Sequence, residues 1–291
     1  MKQKRTRKSR LKIKKLVFCI FFLVLFICGL VIGLEKAFSL FMSRNSAESS
    51  SYYLLIGTDP SAGNEADLIM LAALNNKDKK ATFISIPPNT RISRDNNKNQ
   101  LLKSTFVEGG SEETRSAVEN LLHLRIDKYA VLNYSDFRQD IDNISSLNMY
   151  IESSMYHEDK EGNTDIDIHQ GYQALNGEKA LGYVRYLSND KDEIERIQHQ
   201  ERLFKTVILN LKEHFALYNW LHFYRSWTAA ETNISYSEAA QQAYNLTSYP
   251  DENFKFVILP GESKKINKVD TWIINPVEVQ KAIALSIGSN N

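Results

Sequence analysis

The sequence predicts an α/β fold: a single exported domain with a central mixed sheet flanked by helices, preceded by an N-terminal transmembrane helix. Three observations carry this reading. An uncharged apolar run at 16–34 follows a strongly basic tail. Three short apolar runs, 52–58 (YYLLIGT), 68–74 (LIMLAAL) and 81–86 (ATFISI), have the length and flanks of strands buried on both faces. Beyond residue 110, helical periodicity alternates with further strand-like runs, the pattern of layered α/β domains.

The tail, 1–15, holds nine Lys and Arg and no acid, which leaves 27 basic and 35 acidic side chains, a formal −8, in the remainder. At 1.5 Å per residue the run at 16–34 matches the ~30 Å apolar thickness of a bilayer. Positive charge on its N-terminal side predicts a single-pass protein of the cell membrane, with the tail cytoplasmic and everything beyond the span extracellular. A cleaved signal peptide competes, since Ala37-Phe38-Ser39 loosely resembles a cleavage site, but such apolar regions run only ~7–15 residues. Topology and attraction to anionic lipid account for the polybasic tail without a nucleic-acid partner. Both cysteines, Cys19 and Cys28, lie in the span, so the exported part has neither disulfide nor thiol. Residues 35–51, Ser-rich toward their end, read as a stalk, and one domain is expected over 52–291.

Along that domain, Ser111 precedes an amphipathic helix with Ala117, Val118, Leu121 and Leu122 on one face, and 129–134 (YAVLNY) reads as a strand. Ser135 is the expected cap of a helix carrying Phe137, Ile141 and Ile144. The longest helical signal, 195–215, aligns Phe204, Val207, Ile208, Leu211 and Phe215, while its start is rich in Arg196, His199 and Arg202. Ser235 to Glu238 fits a capping box, 254–259 reads as a late strand, and Asn275-Pro276 opens a last helix.

Familiar catalytic strings are absent: there is no HExxH, GxSxG, GxxxxGK[ST] or GxGxxG. Two constellations remain. The loop between the first two strands carries Asp59 and Asp67, which either meet at one sheet edge, where two carboxylates and a substrate phosphate suit Mg²⁺, or simply build a polar turn. Arg185, Arg196 and Arg202 surround the start of the long helix. They suit a phosphate or pyrophosphate, or else form a solvated face paired with Asp190, Asp192, Glu193 and Glu195.

The strings LNGEKALGYVRY at 175–186 and ERIQHQERLFK at 195–205 resemble the central signature of the LytR-CpsA-Psr family of cell-envelope proteins. The opening LLIGTD, the strand LIMLAALN, the string ISIPPNT and Lys103 follow in the family's order. The resemblance covers roughly 52–210, and an anchor with a stalk matches the family layout. It implies a bacterial transferase that moves a glycopolymer from a polyprenyl-pyrophosphate carrier to a peptidoglycan acceptor through a phosphodiester, with Mg²⁺. Asp59 and Asp67 would then hold the metal, Arg185, Arg196, Arg202 and Lys103 would contact the pyrophosphate, and Asp67, Arg185 and Arg196 would be catalytic.

Several positions depart from the family pattern. Pro88-Asn89 stand where it has Arg-Asp, Glu65 stands where a cation precedes the second strand, Leu187 replaces an arginine, and His199-Gln200-Glu201 replaces Arg-Gln-Gln. Arg91, Lys103 and Arg202 are the nearby cations, although strand alternation turns position 91 away from position 88. Three functions therefore compete: the transferase, a family member that binds polyprenyl phosphate or glycopolymer without turnover, and a membrane-tethered transcription regulator, for which no DNA-binding motif speaks.

Overall fold

Strands β1 (Ser51–Thr58), β2 (Ala66–Asn75) and β3 (Lys80–Ser85) pair as an antiparallel meander at the centre of a six-stranded sheet. The computed structural model describes residues 50–60, 63–93, 99–143, 147–159, 161–188, 193–213 and 217–287. The basic tail, the expected span at 16–34 and residues 35–49 of the expected stalk lie outside them. Among the described residues no helix is long and apolar enough to cross a membrane.

Two short strands, β4 (Arg91–Ser93) and β5 (Asn99–Leu101), form a ribbon after β3. Strand β6 (Lys128–Asn133) then lies parallel to β1, β11 (Glu231–Thr232) flanks it antiparallel, and β12 (Phe254–Ile258) runs parallel to β3 at the other edge. The sheet is thus mixed, as expected. Each central strand is apolar on both faces because helices cover both. Leu54, Ile56, Ile69, Leu71 and Ile84 pack with Val118 and Leu122 of helix α1 (Ser104–Leu122) and with Val279 and Ile283 of a C-terminal helix, α7 (Pro276–Ile287). The alternate residues Tyr53, Met70, Ala72 and Phe83 pack with Ile208 and Ala239 on the opposite face. Burying one such aliphatic or aromatic side chain contributes about 1.5–3 kcal/mol, so both layers are needed to hold the sheet.

Helix α1 starts before the expected Ser111, but Gly109 and Gly110 break it. Gly110 has φ 67° and ψ −155°, a region a Cβ would not tolerate, so the amphipathic stretch restarts at Ser111 as its capping character suggests. Helix α2 (Tyr134–Asn143) begins earlier than expected. Asn133, rather than Ser135, holds its first turn, its Oδ1 accepting from the Asp136 amide at 2.9 Å.

A third cluster stands beside the sheet. Ribbons β7–β10 (Leu147–Ile151 with Gly171–Leu175) and β8–β9 (Met155–Glu158 with Thr164–Ile168) pack Leu147, Ile151, Met155, Ile166 and Ile168 against helix α3 (Gly177–Arg185) and Leu203 of helix α4 (Glu193–Glu213). None of these four strands follows from the sequence reading. Helices α5 (Leu217–Ala229) and α6 (Tyr236–Thr247) complete the second sheet face, and the Ser235 side chain caps α6 by accepting from the Glu238 amide at 3.3 Å, as expected.

Candidate functional site

Antiparallel pairing of β1 with β2 places Asp59, just past the end of one strand, beside Asp67, near the start of the other, with an irregularity at Gly57/Thr58 that re-aims the chain. The Asp59 side chain is 9% exposed and that of Asp67 28%. Parallel pairing of β6 with β1 aligns Asn133 with Thr58 and so delivers Tyr134 to the same corner. Its hydroxyl donates to Asp67 Oδ2 at 3.3 Å.

Two arginines close the corner from the helices. Arg185, in the last turn of α3, brings Nη2 to 3.8 Å from Asp59 Oδ2, and its guanidinium carbon stands 5.7 Å from the Tyr134 ring centroid. Arg196, in the first turns of α4, has Nη1 4.0 Å from Asp67 Oδ1 and pairs tightly through Nη2 with Glu193. Its side chain is 11% exposed and its Nε is buried without a hydrogen-bond partner among the described residues. Both carboxylate–arginine distances are long for direct ion pairs, which leaves the guanidinium groups able to take another anion.

The charges are tuned by burial. Desolvation raises the Asp67 pKa, opposed by the Arg196 charge and the Tyr134 hydrogen bond and reinforced slightly by Asp59. Burial also pushes the Tyr134 phenol up, aided by the Asp67 charge, so it stays a donor. For Arg196 burial works against the charge, and Glu193, followed by Tyr134 and Asp67, more than restores it.

Lys103 reaches the corner's edge. Its amide donates to Pro88 O at 2.8 Å and its carbonyl accepts from the Ala66 amide at 3.1 Å, while its ammonium pairs with Glu65 at 2.5 Å. Arg202 is not brought in. It pairs with Glu152 at 2.5 Å, both side chains remaining partly exposed. Sequence reasoning missed Tyr134, and nothing in one sequence flags it, since it reaches the site only through the β1–β6 register.

The departing positions supply no cation. Asn89 donates through its side chain to Asp270 O at 3.2 Å, Pro88 offers only its carbonyl, and Leu187 is a half-exposed aliphatic. His199 is buried against the Tyr183 ring, centroids 4.7 Å apart, and desolvation lowers its pKa, so it is neutral near pH 7. Glu201 accepts from the Ser85 hydroxyl at 2.6 Å, its pKa raised by burial. Arg91 lines a separate cleft with Glu113, His123 and Ile274.

Behind the corner is an apolar cavity of about 280 Å³ between the sheet and helices α2, α4 and α5. Leu55, Leu68, Met70, Phe137, Leu203, Phe204, Phe223 and Trp227 line it. Tyr134 and Val184 also line it, so the cavity and the charged corner share one wall.

No cluster of three or more His, Cys, Asp or Glu that could hold a metal occurs among the described residues. The Asp59–Asp67 pair is nevertheless a fit donor set for Mg²⁺, a hard cation commonly held by one or two carboxylates with substrate phosphate oxygens completing the shell.

Comparison with known proteins places these features in context. The chain is 24% identical over 223 residues to the polyisoprenyl-teichoic acid–peptidoglycan teichoic acid transferase TagV of Bacillus subtilis, covering 72% of this chain and 56% of the relative. It thus spans little more than half the length of that protein. The crystal structure of B. subtilis TagV matches with a TM-score of 0.71 at 19% identity, over 84% of this chain and 100% of that one. The structure of B. subtilis TagT matches at 0.65, with 21% identity over 83% and 92%, and TagT has also been determined bound to LI-WTA. The α/β fold with its mixed sheet is therefore one these proteins share. Residues 35–285 match the LytR_cpsA_psr family pattern, and the chain belongs to the LytR_cpsA_psr family.

Proposed function

We propose that this protein is a membrane-anchored, Mg²⁺-dependent transferase that moves a glycopolymer from a polyprenyl-pyrophosphate carrier to peptidoglycan. The observation that carries the reading is the junction of two carboxylates and two arginines with an apolar cavity through Tyr134. With a divalent cation on the carboxylates, an amphiphile with a pyrophosphate head and a hydrocarbon tail would match that junction in both charge and polarity. The TagV and TagT likeness supports the same reaction class.

Arg185 and Arg196 hold and orient the pyrophosphate, the partly exposed Arg185 docking first and the buried Arg196 fixing the register. Tyr134 orients Asp67 through its hydroxyl. The cavity takes the head-proximal part of the prenyl chain, each buried methylene contributing ~0.8 kcal/mol and excluding water from the phosphate. Asp59 and Asp67 would hold Mg²⁺, whose charge, when bound, offsets that developing on the transferring phosphate.

The departing positions favour a second reading, in which the chain binds the carrier lipid without turnover. Pro88, Leu187 and neutral His199 leave fewer cations around the phosphate than the family pattern has. One experiment decides between them. The full-length chain is assayed for transfer from a lipid-linked glycopolymer to wall acceptor, with and without Mg²⁺. Metal-dependent transfer that falls on the order of 10²–10³ in Arg185→Ala and Asp67→Ala, and not in exposed Arg225→Ala, is the expected result. Retained lipid with no transfer would establish the second reading, and transfer indifferent to Asp67→Ala and Arg185→Ala would refute the site.

A further inference from the structure

Away from the charged corner a second groove, of about 470 Å³, runs between strand β7 and helix α4. Its volume is within the ~300–1,000 Å³ usual for ligand sites. On its rim Tyr150 and Tyr172 are direct cross-strand partners, their centroids 6.4 Å apart, and they are 52% and 78% exposed. Neither belongs to a core, for the ribbon's opposite face, with Leu147, Ile151 and Leu175, does the packing. Large aromatic rings left open beside a cleft mark surfaces that take a partner.

The floor is polar and carries both signs in balance, Arg202 and Lys205 lining it alongside Glu152 and Glu213. Arg202 is neutralised by Glu152, which also accepts from the Tyr183 hydroxyl at 3.3 Å, and Lys205 and Thr206 extend the helical wall. Fixed donors and acceptors side by side suit hydroxyl groups, each of which both donates and accepts, better than they suit a phosphate. Rings whose faces can meet the C–H side of a pyranose complete the chemistry of a sugar site. Arg202 follows Arg196 on the same helix by about 9 Å of rise, a span that a short oligosaccharide covers.

We propose that this groove is a carbohydrate-binding subsite in which Tyr150 and Tyr172 stack on sugar rings while Arg202 and Glu152 bind their hydroxyls. It deepens the transfer reading and rests on it for the glycan's origin: the ligand is a glycan chain, either the acceptor strand of peptidoglycan or the sugar units of the donor. It also gives the Arg202–Glu152 pair a role at the glycan.

The full-length chain in detergent is titrated by calorimetry with soluble, uncrosslinked peptidoglycan glycan strands and, separately, with wall teichoic acid freed of lipid. Wild type is expected to bind one of them, Tyr172→Ala to bind it on the order of tenfold more weakly, and Tyr172→Trp to keep the affinity. Which glycan binds identifies the source. Tyr172 is so exposed that its truncation leaves the fold intact, and unchanged binding of undecaprenyl phosphate checks this. Failure of wild type to bind either glycan, undiminished binding by Tyr172→Ala, or a Trp variant as weak as the Ala variant overturns the proposal. If undecaprenyl phosphate still binds in such a case, the groove falls and the transfer reading stands.

Discussion

A single side chain shows how far this site departs from its family's pattern. Glu201 stands where the resemblance places glutamine, half-buried, and accepts from the Ser85 hydroxyl at 2.6 Å. Burial raises its pKa above the ordinary 4.5. In acid both folded and unfolded chains carry it protonated, and it costs nothing. As pH rises the unfolded chain ionises first, so stability is lost from the unfolded pKa up to the raised folded one. Glu201→Gln keeps an acceptor for Ser85 and removes that loss. Thermal denaturation should show a higher melting temperature than wild type at neutral pH and no gain below about pH 4. A gain of equal size at both would mean that packing, not ionisation, separates the two side chains.

Among the elements, helix α3 matters most because it ends in Arg185. Its start is fixed by two contacts: the Asn176 side chain accepts from the Lys179 amide at 2.9 Å, and the Gly177 amide donates to Asp142 Oδ1 at 2.7 Å. A Cβ on Gly177 would stand 2.1 Å from Arg138 O of helix α2, an approach only glycine permits. Gly177→Ala must push α3 from α2, and urea unfolding should show a loss of roughly 1–3 kcal/mol. An unchanged midpoint would mean that the two helices are free to separate, and that Arg185 is held by something other than their contact.

At the scale of the molecule, the sheet carries charge at one corner and an apolar cavity behind it, and the proposed chemistry needs both. Ala130 of β6 lines the cavity and has room in front of it. Ala130→Phe fills part of that space with apolar surface. Undecaprenyl phosphate binding should weaken on the order of tenfold or more. Full affinity in the filled protein would place the lipid elsewhere.

The sequence alone determined the parts that local chemistry encodes. Runs apolar at every position announced the three buried strands of the meander, the alternation with helices announced the layered class, and Ser235 and Asn275 marked helix starts through side chains that satisfy free amides. Asp59, Asp67, Arg185 and Arg196 were legible from the family signature, and the structure brings these four together. Tertiary structure alone decided the rest. Tyr134 joins the site through a parallel pairing between strands far apart in sequence, and Arg202 pairs with Glu152, fifty residues earlier. The β7–β10 and β8–β9 ribbons were not read from sequence: LNMYI and TDIDI alternate, but runs of four or five residues are too short to separate a strand from a loop until partners define the faces. Contacts between residues distant in the chain leave no local pattern, and in this protein they set which charges meet and which neutralise one another.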